Sequence, residues 1–251
     1  MKVLYSISIL LAVVALLTVS VPVYASETDS RIESSARQSY VFKAYLQGDD
    51  IKIRSQDGAV TLTGEVLEES HKSLAQDTVA GLPGVRSVDN RLQVKGESPD
   101  KNPDAWLTTK VKSTLMFHRS VGGTTTEVTV KRGIVTLRGN ASSQAQKDLT
   151  TEYARDVEGV KDVINEMTVA KSASDPQTMG EKIDDASITA QVKMTLLYHR
   201  STSALNTKVE TNSGVVTLDG KAKNAAELDL ATKLASDVYG VKGVNNRMTI
   251  E

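Results

Sequence analysis

The 251-residue chain has no cysteine. Disulfides, thiol nucleophiles and cysteine-based metal sites are therefore excluded, and so is the acylated cysteine that a bacterial lipoprotein anchor requires. Aromatic residues make up only 4% of the chain, which leaves little material for stacking nucleic-acid bases. A basic excess is missing as well. Lys2 is the only charged residue in the first 25, so the remainder carries 29 Lys+Arg (30 minus 1) against 31 Asp+Glu, a net charge of −2. Phosphate neutralisation dominates nucleic-acid affinity, so no nucleic-acid partner is expected. The three histidines, His71, His118 and His199, form no H-x-x-x-H or carboxylate–histidine spacing, and no metal site is expected. No glycine loop leads from a strand into a helix to cradle phosphate. No catalytic residue and no cofactor are assigned, and the chain is not expected to be an enzyme.

Long apolar runs are also scarce, with one exception. Val3 to Val19 is interrupted only by Tyr5, Ser6, Ser8 and Thr18, and is followed by Pro22 and Val23-Tyr24-Ala25. A positive start, an apolar stretch and small residues at the cleavage positions describe a secretory signal peptide over residues 1–25, cut after Ala25. An uncleaved anchor is the alternative, since the run approaches spanning length. Cleavage would give a periplasmic protein that is not a lipoprotein.

What the chain does have is an internal repeat. Gly58-Ala-Val-Thr-Leu-Thr-Gly64 recurs as Gly133-Ile-Val-Thr-Leu-Arg-Gly139 and Gly214-Val-Val-Thr-Leu-Asp-Gly220. Asp29, Asp104 and Asp185 keep the same spacing ahead of it. Gly84-Val85, Gly159-Val160 and Gly240-Val241 follow, and then Asn90, Asn165 and Asn246. The units are 29–95, 104–170 and 185–251, joined by the polar, proline-containing linkers 96–103 and 171–184. The second and third units are identical at 32 of 67 aligned positions.

Each unit reads helix, strand, strand, helix, strand. Asp104 is placed to accept N–H groups at a helix start, and Leu107, Val111 and Leu115 recur on one helical face. Ile188, Val192 and Leu196 repeat that stripe, and Ile32, Ala36 and Tyr40 give a weaker version. Val135-Thr136-Leu137 alternates as a strand. Ser143-x-x-Gln146 and Asn224-x-x-Glu227 have capping-box spacing, with a poorer cap at Glu68. The expected fold is α+β: three tandem αββαβ units, each with two helices on one face of a three-stranded mixed sheet. The glycines Gly58, Gly64, Gly133, Gly139, Gly214 and Gly220 are assigned structural, turn-forming roles.

An exported chain of such units, each with G-x-V-T-L-x-G and then G-V-x-x-V-x-N, resembles the BON domain family over essentially all of residues 29–251. The first unit is the most divergent. The resemblance implies a periplasmic envelope protein of osmotic stress that attaches to phospholipid membranes. It also implies, as the alternative, a chaperone-like module that binds exported client proteins.

The residues singled out for a membrane role lie at the end of the first helix of each unit. Phe117-His118-Arg119 is repeated as Tyr198-His199-Arg200, with Phe42-Lys43 in the first unit. An aromatic beside cations suits an anionic lipid interface. The bland alternative is that basic groups simply meet the helix dipole. Trp106, unmatched in the other units, is added to the set. Each basic group near an anionic surface contributes about 1 kcal/mol, so binding to an anionic phospholipid surface is expected to be weak and multivalent.

Overall fold

The computed structural model describes residues 23–95, 102–170, 182–202 and 207–251. Most of the expected signal segment, residues 1–22, lies outside the described residues. The first unit comprises α1 (Val23–Gln38), α2 (Tyr40–Ala44), β1 (Asp50–Gln56), β2 (Ala59–Val66), α3 (Glu69–Ala80) and β3 (Ser87–Val94). The second has α4 (Pro103–Phe117), β4 (Thr126–Lys131), β5 (Ile134–Ala141), α5 (Gln144–Arg155), β6 (Asp162–Asn165) and β7 (Thr168–Val169). The third has α6 (Asp185–Tyr198), β8 (Thr207–Asn212), β9 (Val215–Ala222), α7 (Ala225–Ser236), β10 (Gly243–Asn246) and β11 (Thr249–Ile250). Cleavage after Ala25 would fall within the first turn of α1.

In each unit the middle strand pairs antiparallel with the strand before it and parallel with the strand after the second helix. The parallel register is the same throughout: Leu62 faces Asn90, Leu137 faces Asn165 and Leu218 faces Asn246. β7 and β11 continue that register beside β5 and β9. They are therefore the far halves of a single third strand, and the fold is the expected three-stranded mixed sheet.

The hairpin joining the first two strands is a two-residue turn with both central residues left-handed. Arg132 has φ 54° and Gly133 φ 80°, and the pairs Asp57–Gly58 and Ser213–Gly214 match. That is the turn whose twist suits two antiparallel strands. Gly64, Gly139 and Gly220 are not turn residues. They sit inside the middle strand at positive φ, and a Cβ on Gly139 would stand 2.4 Å from the carbonyl of Thr125.

The repeated aspartates hold these turns. Asp104 accepts from the backbone N–H of Arg132 at 2.6 Å and of Gly133 at 2.9 Å. Asp185 does the same for Ser213 and Gly214, and Asp29 for Asp57 and Gly58. The helix N-caps are instead Asn102 and Asp184, which corrects the helix-start role expected of Asp104. Asn165 ties the third strand to α5: its Nδ2 donates to the carbonyl of Lys147, and its Oδ1 accepts from Met167 N–H. Asn90 and Asn246 repeat this.

Two helices cover one face of each sheet, and the expected stripes are buried there. α6 serves two cores along its length. Ile188, Val192 and Leu196 enter the core of the third unit, while Ala186, Ala190 and Met194 on another side pack into that of the first. A helix apolar on more than one face must be buried between neighbours. The small side chains of Ala186 and Ala190 let the first unit come close. The contact is pinned where Asp184 Oδ2 accepts from Tyr40 N–H at 2.7 Å, Ser187 Oγ accepts from Val41 N–H, and Lys193 meets Asp77 at 3.2 Å.

Candidate functional site at the ends of the first helices

The two Aromatic-His-Arg-Ser segments come together. Helices α4 and α6 end at Phe117 and Tyr198, and the residues after them pair with the other unit across an approximate two-fold axis. His118 bridges to Val238, and Val157 to His199. Arg119 N–H donates to the carbonyl of Asp237 at 3.0 Å, and Arg200 N–H to that of Asp156 at 2.9 Å. Tyr239 N–H donates to Phe117 at 3.1 Å, and Glu158 N–H to Tyr198 at 2.9 Å. The same surface of each unit serves both sides, which is the defining property of an isologous interface.

Side chains reinforce one half of this seam more than the other. The His118 ring is fully buried and stacks on Tyr153 with centroids 4.0 Å apart. Its Nδ1 lies 3.3 Å from the Asp237 carboxylate. Asp237 also accepts from Tyr153 at 2.7 Å and from Ser120, and Arg119 Nε approaches to 3.7 Å. Burial opposes ionisation of Asp237, but the His118, Ser120 and Tyr153 groups gathered round it hold its carboxyl below the usual range. Burial and the Asp237 charge together push the Tyr153 phenol up.

On the other half, His199 stands 3.7 Å from Asp156. Burial leads in holding the His199 imidazole below its ordinary value, against the pull of Asp156. Arg200 spends its guanidinium on the carbonyls of Arg155, Val157 and Val160, at and just beyond the end of α5.

The first unit is barred from this pairing by three substitutions. Pro83 stands where the other units have Glu158 and Tyr239, and it has no N–H to donate. Gly81 replaces Asp156 and Asp237, and Lys43 replaces the histidine. A Cβ on Gly81 would come within 3.3 Å of Ala186. Losing the aspartate side chain is thus what lets α3 lie against α6.

The nine residues of the expected lipid tip are therefore divided. Phe117, His118 and Tyr198 are buried, and Tyr45 packs edge-on against Phe117 with centroids 5.3 Å apart. Phe42, Trp106 and His199 are half-buried, whereas Lys43, Arg119 and Arg200 are exposed. Trp106 meets Tyr198 edge-on, with Lys110 Nζ about equally close to both rings. It also borders a cavity of about 290 Å³ shared with Leu67 and Glu68 of the first unit. The sequence places His118 and His199 in separate units, and the shared seam in which each bridges to the other unit could have been suspected only from the paired recurrence of H-R-S and D-V. Among the described residues no group of three or more His, Asp or Glu could hold a metal ion.

Comparison with known proteins agrees with the repeat. The BON domain matches residues 28–96, 103–171 and 184–251. Osmotically-inducible protein Y of Escherichia coli is 32% identical over 78% of this chain and 95% of its own length. The outer membrane lipoprotein DolP of Haemophilus influenzae is 32% identical over 56% of this chain and 66% of its own. Among solved structures, that of CdsD, a structural protein of the type III secretion system of Chlamydia trachomatis, matches 88% of this chain and 90% of that one. Its identity is 17% and its TM-score 0.25, too low for argument. With three domain matches spanning most of the described residues, the chain belongs to the BON domain family.

Proposed function

We propose that this chain is a periplasmic envelope protein of osmotic stress, with domains at 29–95, 104–170 and 185–251, that binds anionic phospholipid surfaces weakly and without catalysis. The observation that carries this is the threefold BON repeat in a chain similar both to an osmotically inducible protein and to an outer membrane lipoprotein. The apolar run at residues 3–19 supports export. With the units packed together, lipid contact falls to the exposed groups Lys43 and Arg119, with Trp106 at the margin. Phe117, His118 and Tyr198 support these positions from inside.

The test is flotation of the chain lacking residues 1–25 on phosphatidylglycerol vesicles, compared with phosphatidylcholine vesicles. Enrichment on the anionic vesicles at low salt, lost as ionic strength rises, is expected. Equal or absent flotation on both overturns the proposal. Lys43→Glu should weaken flotation without disturbing the fold. Arg200 is unsuitable for charge reversal, because its guanidinium serves three backbone carbonyls.

A further inference from the structure

In every unit the first strand is a sheet edge, and the first unit finishes its edge differently from the third. The two-residue turn fixes which backbone groups of that strand face its partner. Residues flanking the turn bond across, and the next residue points its N–H and C=O outward. In β1 the outward groups are those of Ser55 and Ile53, and the first unit's own helix closes them. Glu33 accepts from Ser55 N–H at 3.0 Å, and Arg37 donates to the carbonyl of Ile53 at 3.3 Å. Unpaired edge strands invite other chains, and side-chain clasps of this kind are one means of blunting them.

The third unit lacks the clasp. Thr211 and Val209 occupy the outward positions of β8, by their pairing with Val216 and Leu218. Thr189 and Lys193 replace Glu33 and Arg37. Thr189 bonds the Thr211 hydroxyl rather than its N–H, and Lys193 is drawn away to Asp77 of the first unit. Beside this open stretch of backbone lies a cavity of about 650 Å³, walled by Val209 and Thr211, by Thr189 and Lys193, and by Ala80 and Gly81 from the end of α3.

From this we infer that β8 is a docking edge for an extended segment of another polypeptide, which adds to the sheet as a fourth strand in the cavity between α3, α6 and β8. Its main chain would bond to the N–H and C=O groups of Val209 and Thr211. The segment is neutral where it faces the groove. Lys193 is already paired with Asp77 and Lys208 with Glu210 at 2.6 Å, the Asp185 carboxylate is taken up by the Ser213 and Gly214 amides, and Ala80, Gly81 and Val209 offer it no charge. Recognition is through backbone and tolerates many sequences. This site is separate from the exposed cations assigned to lipid.

The experiment uses the chain lacking residues 1–25 and a fluorescein-labelled heptapeptide of alternating threonine and valine with a lysine at each end. Binding should be measurable by anisotropy, and hydrogen exchange should slow at the Thr211 amide. Thr211→Pro deletes a donor that β9 does not use, a place where an edge strand tolerates proline, and should weaken binding about tenfold. Thr189→Glu supplies a carboxylate where Glu33 stands in the first unit and should weaken it similarly, which keeps the test decisive if the proline variant fails to fold. No peptide binding, or binding unchanged in a folded variant, overturns the inference. Flotation on anionic vesicles should be unaffected by either substitution, so the lipid and strand-docking proposals fail independently.

Discussion

Tyr239 donates its backbone N–H to the carbonyl of Phe117 at 3.1 Å, joining the third unit to the second. Glu158 does the same for Tyr198 on the other side of the two-fold, while Pro83, their counterpart in the first unit, has nothing to donate. Together with Gly81 and Lys43, this imino acid separates the first unit from the two that pair, and the first unit takes the other side of α6.

Proline at either donor position should open the seam. Glu158→Pro and Tyr239→Pro each remove one of four cross-unit backbone bonds and leave a buried carbonyl unsatisfied, at a cost of about 1–3 kcal/mol. Pro83→Glu should be near neutral. Urea unfolding monitored by circular dichroism ranks the three, and equal effects at all three positions would show that the seam carries no special weight.

Asp237 should matter more than Asp156. Its carboxylate receives Ser120 and Tyr153 and faces buried His118, so Asp237→Ala strands polar groups that have no water to turn to. A loss of about 2–3 kcal/mol is expected. Asp156 lies 3.7 Å from His199 with its side chain 43% exposed, and Asp156→Ala should cost under about 1 kcal/mol. Thermal melts of both variants decide the order.

Acid should loosen the seam. The His199 imidazole is held below its ordinary value by burial, so the unfolded chain takes up a proton before the folded one does. The stability that this contributes is complete above the unfolded histidine value of about 6.5 and is lost as pH falls beneath it. Asp237, with its carboxyl depressed, adds a second loss below the ordinary carboxylate range. The urea midpoint should therefore drop between pH 7.5 and 5.5, with the emission of Trp106, the sole tryptophan, as the probe. His199→Gln should flatten that drop, and an unchanged slope would refute the assignment.

The turn clasp should be visible in kinetics as well as in stability. Asp104→Ala removes two charge-assisted bonds to the turn amides of Arg132 and Gly133, costing about 2 kcal/mol. Asp104→Asn keeps an acceptor oxygen and should recover part of it. Stopped-flow refolding tells whether the hairpin forms in the transition state: slower folding places it there, and faster unfolding alone places it later.

The sequence alone determined the unit. Left-handed turns need Gly133, and helical stripes such as Leu107, Val111 and Leu115 need a sheet to cover. Each is local and repeats three times. Tertiary structure decided how the units meet. Phe117, His118 and Tyr198 have the pattern of an amphipathic tip when viewed on one helix, because periodicity reports apolar faces but not which neighbour covers them. Ala186, Ala190 and Met194 are hidden in the sequence for the same reason: a second apolar face blurs the stripe that makes a helix legible. Pro83 and Gly81 carry no signal of their own in the sequence. Only with the partner surfaces in place does a missing N–H or a missing side chain acquire a consequence, since what each lacks is defined by an atom elsewhere in the chain.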